Sequence, residues 1–257
     1  MLVHVAHALT LDKVIEYKEV SFSAPSVPAE MNGYRLAFVS DTHSMPQERL
    51  KELVDELNNR SVDLLVLGGD YSNRVDVSHE TMELLSQVAT TDGIYGVDGN
   101  HDRFQALFAA MEEFSIRPLS NDGLTVREGF YLAGVADLWN RQASIASAIG
   151  GAAPDDFVLL VSHNPDISML QDTSGVDLVL SGHTHGGQMT LFSVWAPLFT
   201  FTKPVNNSIT KFGQRFRSGW ALSNDDTPVL VSNGAGEYSP RVFARPQAIM
   251  LTLYHED

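Results

Sequence analysis

The sequence contains no cysteine. That absence excludes disulfides, thiolate metal sites and a cysteine nucleophile, and it leaves the redox compartment open. Basic residues are scarce as well. Against 32 Asp and Glu stand 17 Lys and Arg, a formal net charge of −15. A surface of that sign disfavours general binding to nucleic acid or to anionic membrane, both of which need basic groups. Long apolar runs are missing too: none reaches the roughly 18 residues of a spanning helix. The opening residues 1–10 are apolar but lack the basic start and small-residue cleavage site of a signal peptide. The chain is therefore expected to be soluble. There is no Gly-x-Gly-x-x-Gly after a strand and no Gly-x-Ser-x-Gly elbow, which argues against dinucleotide-dependent redox and serine acyl transfer. With no Pro/Gly/Ser-rich linker and no internal repeat, a single domain over residues 1–257 is expected.

One absence is local. Residues 178–224 include no Asp or Glu, where the chain's average would place about six. The same stretch carries Lys203, Lys211, Arg215 and Arg217, and an uncharged aromatic segment at 191–201. An acid-free stretch in an acidic chain suggests a negatively charged substrate; a β-rich wall that lacks acids is the structural alternative. The aromatic segment reads first as a strand packed into a second sheet, and otherwise as a lip that meets a lipid tail.

What is present divides into apolar runs. The first half alternates strand-like runs at 14–22, 35–40, 63–68 and 94–97 with helical spacing. Leu50, Leu53, Val54 and Leu57 follow the i, i+3, i+4, i+7 pattern, Met82, Leu85 and Val88 mark a second helix, and Phe104, Leu107, Phe108 and Met111 form a core face of a third. Strands alternating with helices of this length imply parallel βαβ units. The second half is richer in strands, at 130–135, 157–161, 176–180, 229–232 and 248–254, with one short helix near Ile145. Two stacked mixed sheets with helices outside follow, an α/β fold in four layers, α-β-β-α.

Five of these runs end at once in metal-binding or charged residues: Asp41-x-His43, Gly69-Asp70, Gly99-Asn100-His101-Asp102, Ser162-His163-Asn164 and Gly182-His183-x-His185. They hold five of the chain's nine histidines. Ligand sites gather at the carboxyl ends of strands in open α/β sheets. Asp41 and His43 are two apart, so a chain still extended there would point both side chains one way. The glycines before Asp70 allow a sharp turn and a close approach. Together the motifs offer carboxylate, imidazole and amide ligands without sulfur, a donor set suited to Mn, Fe or Zn. Two such ions about 3.5–4 Å apart can clamp the attacking and leaving oxygens of a phosphoryl transfer. His4, His7, His79 and His255 fall outside the motifs and read as surface residues.

The ordered set, extended by Asn73 and Arg74 after Asp70, resembles the calcineurin-like metallophosphoesterases from about residue 35 to the end. The resemblance implies one divalent ion held by Asp41, His43, Asp70 and His185. It implies a second held by Asp70, Asn100, His163 and His183, with Asp70 bridging and a hydroxide between the ions as nucleophile. His101 would then stand beside the scissile phosphate as general acid or charge stabiliser, oriented by Asp102. Arg74 would contact the phosphate. Ser44 stands where many members have Gly, and Asn73 where many have a second Asp. The endings 162–166 and 181–188, with 233–236, Pro240 and Arg241 later, are similar to a bacterial subfamily of membrane-associated phosphodiesterases. Some of those cleave the pyrophosphate of a UDP-sugar lipid precursor. The function implied is hydrolysis of a phosphodiester or pyrophosphate, of a lipid or nucleotide-sugar substrate, in the cytoplasm or peripheral to the membrane. No obligate protein partner is evident. A phosphomonoesterase is the alternative, and a scaffold without chemistry a more remote one.

Overall fold

The computed structural model describes residue 6 and residues 11–197, 210–236 and 241–256. Lys203, residues 198–201 of the aromatic segment, Pro240, His4 and His7 lie outside the described residues.

The strands are β1 (Glu16–Ala24), β2 (Tyr34–Val39), β3 (Leu64–Leu67), β4 (Ile94–Gly96), β5 (Arg117–Pro118) and β6 (Asp122–Arg127). They continue as β7 (Phe130–Gly134), β8 (Phe157–Val161), β9 (Leu178–Ser181), β10 (Gly219–Leu222), β11 (Pro228–Val231) and β12 (Gln247–His255). The α-helices are α1 (Gln47–Arg60), α2 (Val75–Leu85), α3 (Phe104–Glu113), α4 (Ile145–Ala148) and α5 (Ile167–Leu170). The first sheet runs β1-β12-β2-β3-β4-β5, the second β10-β11-β9-β8-β7-β6. In the first, only the β12/β2 pair is antiparallel; in the second, β10/β11 and β6/β7 are antiparallel and the inner strands parallel.

Period-two alternation of the strands sorts their side chains into three cores. Leu36 and Phe38 of β2 point between the sheets with Leu64, Leu132, Leu159 and Leu180. Their neighbours Ala37 and Val39 point outward onto Leu50, Leu57, Met82 and Leu107 of the three long helices. On the far side, Ala133, Leu160 and Val179 meet Ile145, Ile167 and Phe216. Both faces of the central strands are covered, so their sequences read as continuous apolar runs rather than alternating ones. The four-layer α/β sandwich is therefore the observed fold. Its second helical layer consists of two four-residue helices, α4 and α5.

Several local expectations change. Strands β5, β6 and β10 and helix α5 carry no clear sequence signal, being two residues long, half-exposed or a single turn. On α3, Leu107 and Met111 are buried, but Phe104 and Phe108 are half-buried. They receive the Arg141 guanidinium, 4.0 and 5.7 Å from the two ring centroids. Residues 191–195 form a turn closed by one Leu191–Trp195 bridge, not a strand of the second sheet, and Phe192 is 56% exposed. Among the described residues no helix is long and apolar enough to cross a membrane.

The carboxyl ends of β2, β3, β4, β7, β8, β9 and β11 release the chain at 40–44, 68–74, 97–103, 135–141, 162–166, 182–188 and 232–236. All five sequence motifs lie in these loops.

Candidate metal centre

The loop after β2 runs beside the loop after β3, with Asp41 N–H donating to Gly69 O (2.8 Å), His43 N–H to Asp70 O (3.1 Å) and Ser44 N–H to Tyr71 O (2.7 Å). The backbone there is not extended, as the Asp-x-His spacing had suggested. Asp41, His43 and Ser44 have φ of 53°, 43° and 60°. Asp70, His183 and His185 are also left-handed, at 58°, 68° and 51°. Such φ values are uncommon for residues with a Cβ, tolerated best by Asn, Asp and His, and they gather where surrounding structure over-determines them. Five of the seven proposed ligands thus sit in a conformation that turns each strand end sharply inward. Ser44 holds that φ with its Oγ 2.8 Å from Ser72 Oγ.

Gly69 makes the close approach possible. It holds φ 90°, and a Cβ there would lie 2.8 Å from both Gly99 N and His163 Nδ1. No larger residue fits between the β3 and β8 loops.

Two clusters of ligand atoms result: Asp41, His43 and His185 in one, and Asp70, His163 and His183 in the other. In the first, His43 Nε2 and His185 Nε2 are 3.0 Å apart, and each lies 3.8 and 3.6 Å, respectively, from Asp41 Oδ1. In the second, His163 Nε2 lies 3.2 Å from His183 Nδ1 and 3.2 Å from Asn100 Oδ1. Asp70 joins them. Its Oδ1 receives the His101 N–H (2.8 Å), which leaves Oδ2 between His163 Nε2 at 3.2 Å and His43 Nε2 at 3.7 Å. His163 Nδ1 donates to Gly68 O (2.8 Å), which aims Nε2 into the site. The Asp41 carboxylate receives His183 N–H at 3.0–3.1 Å, tying the β9 loop to β2.

The electrostatics suit cations. Burial lowers the pKa of His43 and of His185, the latter pushed well below the ordinary range by burial, by His43 and by the Arg241 charge. Both imidazoles therefore offer lone pairs. Burial opposes charge on His163, but the Asp70 carboxylate outweighs it and raises His163 well above the usual imidazole value. Reciprocally, His163 and His43 overcome the burial of Asp70 and hold its carboxyl far below the usual range. A cation held at the second cluster would take the place of the His163 proton, as metal binding generally does. All-oxygen-and-nitrogen donors, converging and largely buried, fit divalent cations.

Two expected roles change. Asp102 does not hold His101. Its Oδ2 receives the N–H groups of Asp70 (2.8 Å) and Gly99 (2.9 Å), and its Oδ1 those of Tyr71 (2.9 Å) and Ser72 (3.2 Å). The turn from Gly99 points its carboxylate back into the β3 loop, so Asp102 shapes the Asp70 backbone instead. Burial and the nearby Asp70 charge push its carboxyl up to about 7, with the Gly99 and Ser72 N–H groups pulling the other way. Arg74 stands exposed at the head of α2 with its fork on Asp76, Nη2 2.5 Å from Oδ2. The exposed guanidinium thus pairs with a carboxylate two residues along the chain. His101 is exposed, its ring centroid 5.4 Å from that of His43.

Two cations of the acid-free stretch bond to loop backbone. Arg215 donates to Leu222 O and Ser223 O, Arg217 to Gly186 O and Ser193 O. Arg241 is buried and had no assigned role. Its Nη1 donates to Asn233 O and Ala244 O, and its Nη2 lies 3.3 Å from His185 Nδ1, bracing that imidazole. A buried arginine is unusual enough to mark a site, but nothing in the one-dimensional pattern shows burial. Residues 137–141 also line the centre: the Trp139 ring meets His183 edge-on with centroids 4.5 Å apart, and Asn140 Nδ2 donates to Asn100 O (2.7 Å).

Comparison with known proteins places the chain in a family. Curated relatives include a transmembrane protein with metallophosphoesterase domain from Danio rerio, 27% identical over 86% of this chain and 52% of that protein. An uncharacterized metallophosphoesterase from Helicobacter pylori is 27% identical over 84% of this chain and 58% of its own length. Thus the chain spans little more than half of these relatives. Phosphodiesterase YaeI of Escherichia coli is 27% identical, covering 86% of this chain and 82% of that one. A solved structure with 12% identity superposes with a TM-score of 0.55 over 80% of this chain and 91% of its own, a likeness of fold. The calcineurin-like phosphoesterase profile matches residues 34–187, from the first residue of β2 to just past His185. That match takes in more than half of the chain and every residue of both ligand clusters, so the protein belongs to the calcineurin-like phosphoesterase family.

Proposed function

We propose that the protein hydrolyses a phosphodiester or pyrophosphate bond with two divalent ions, of Mn, Fe or Zn. One observation carries the reading: Asp70 Oδ2 stands between the two clusters, within 3.2 Å of His163 and 3.7 Å of His43. When bound, such ions act as Lewis acids on phosphoryl oxygens and acidify a water enough for it to attack near neutral pH. Asp41, His43 and His185 would hold one ion, Asn100, His163 and His183 the other, and Asp70 both. In the reaction a water oxygen bonds to phosphorus, the bond from phosphorus to the leaving oxygen breaks, and a proton ends on that oxygen. His101, exposed at the rim beside His43, is placed to supply it.

The diester reading is favoured over the monoester one by Arg74. A monoester dianion gains most from an added guanidinium, and this one is held by Asp76. Metal-loaded protein is expected to prefer bis(p-nitrophenyl) phosphate over p-nitrophenyl phosphate by about tenfold or more in kcat/KM, a difference of about 1.4 kcal/mol. The opposite preference would assign a phosphomonoesterase. Metal-loaded protein inert on both would revive the scaffold.

A lipid-linked substrate, and peripheral contact with a membrane, find support in the residues just beyond His185; a nucleotide-sugar head group would be the polar part of such a substrate. Met189, Leu191, Phe192, Val194 and Trp195 are all exposed there, Val194 at 76%. With a net charge of −15 the surface it suits is electroneutral. Changing Phe192 and Val194 together to Ser is expected to weaken partition onto phosphatidylcholine vesicles by about tenfold or more. Sedimentation with vesicles measures it, and equal partition by both proteins discards the contact.

A further inference from the structure

We propose that Trp139 is a substrate contact that selects esters bearing a planar aromatic group, a nucleobase above all. The inference rests on the reading of the site as a phosphoesterase. Trp139 lies in the turn after β7, and its indole meets the ring of His183 at 89° with centroids 4.5 Å apart. The turn is held from three sides. The buried Asp137 carboxylate receives the N–H groups of Trp139 (3.1 Å) and Asn140 (2.6 Å). Asn140 Nδ2 donates to the backbone oxygen of Asn100, itself a candidate ligand, at 2.7 Å. Arg141 sets Nη1 3.3 Å from the buried Asp98 and lays its guanidinium 4.0 Å above the Phe104 ring.

An indole on so firm a support would be expected to be packed away. Instead Trp139 is 38% exposed. Its ring contact is with His183, a residue of the second ligand cluster. An ester at an ion held by Asn100, His163 and His183 would have this ring at the edge of its site. A flat π system gains from an aromatic platform whatever its ring, and a platform already immobile loses little entropy on binding. An alkyl arm gains contact area alone.

Two esters with one leaving group test this: thymidine 5′-(p-nitrophenyl phosphate) and methyl p-nitrophenyl phosphate both release p-nitrophenolate and differ only in the retained arm. In the metal-loaded protein the thymidine ester is expected to have the lower KM. Trp139→Ala should reduce the thymidine-to-methyl ratio of kcat/KM by roughly 5- to 100-fold, through KM, beyond any uniform loss from disturbing His183. Trp139→Phe should keep most of the ratio, and Trp139→Leu should lose it as alanine does. An unchanged ratio in Trp139→Ala overturns the proposal and leaves Trp139 as a support for His183. Should neither ester be hydrolysed by the native protein, the hydrolase reading fails, and calorimetry still decides the contact. Thymidine 5′-phosphate binding more tightly than methyl phosphate, with the difference lost in Trp139→Ala, upholds it. Equal binding of the two phosphates overturns it.

Discussion

Replacing Asp70 by alanine is expected to lower kcat on a soluble aryl phosphodiester by about 10³-fold or more and to leave fewer than two ions per chain. The size of the effect follows from its shared oxygen. Oδ2 faces His43 at 3.7 Å and His163 at 3.2 Å, so both clusters lose a charged donor at one stroke. Alanine also strips the acceptor from the His101 N–H, which could disturb the loop. Asp70→Asn separates the two effects. Its amide oxygen can still receive that N–H in the place of Oδ1, while the charge is gone. Asparagine is expected to keep the native unfolding temperature within a few degrees yet retain nearly the full kinetic and metal defect. Metal analysis of dialysed protein and steady-state kinetics measure both. Full activity in Asp70→Ala would refute the enzyme assignment.

How the site was readable, and how far, is a matter of which properties a linear pattern carries. Strand ends are visible because buried parallel strands are unbroken apolar runs, so His163 after 157–161 and Asp70 after 63–68 stand out as polar residues at a boundary. Backbone conformation is not visible in that way. Asp41 and His43 were expected on extended chain, yet they converge through φ values of 53° and 43°. Asp102 carries the same ambiguity. Its place in the Gly99–Asp102 motif is legible, but which N–H groups its carboxylate finds depends on the turn, and four from two loops win over the neighbouring imidazole. The role of Arg74 came from the family resemblance, and its guanidinium pairs with Asp76 two residues later. Trp139 and Asn140 had no spacing to announce them, because they reach the centre from β7 by a turn whose shape depends on Asp137, on Asn140 bonding Asn100 O and on Arg141 bridging to Asp98. The topology has a similar blind spot. Strand β12 closes the chain yet enters the first sheet between β1 and β2, a pairing between residues over 200 positions apart.

His101→Ala is expected to reduce kcat by about 10²- to 10⁴-fold while the protein still binds two ions, since no ligand is removed. The imidazole is exposed at the rim, its ring 5.4 Å from that of His43, while its backbone N–H serves Asp70 Oδ1. Alanine keeps that N–H, so the shared carboxylate holds its orientation and the defect isolates the side chain. The leaving group then tells which task the imidazole performs. p-Nitrophenolate departs near neutral pH without help from a proton, whereas an alkoxide does not. If His101 is the proton donor, the loss on an alkyl diester exceeds the loss on the p-nitrophenyl diester by at least about tenfold, because only the alkoxide needs the acid. A loss of equal size on both substrates assigns the imidazole to charge stabilisation of the phosphoryl oxygens instead. No loss on either would remove His101 from the chemistry and leave its backbone N–H as its contribution to the site.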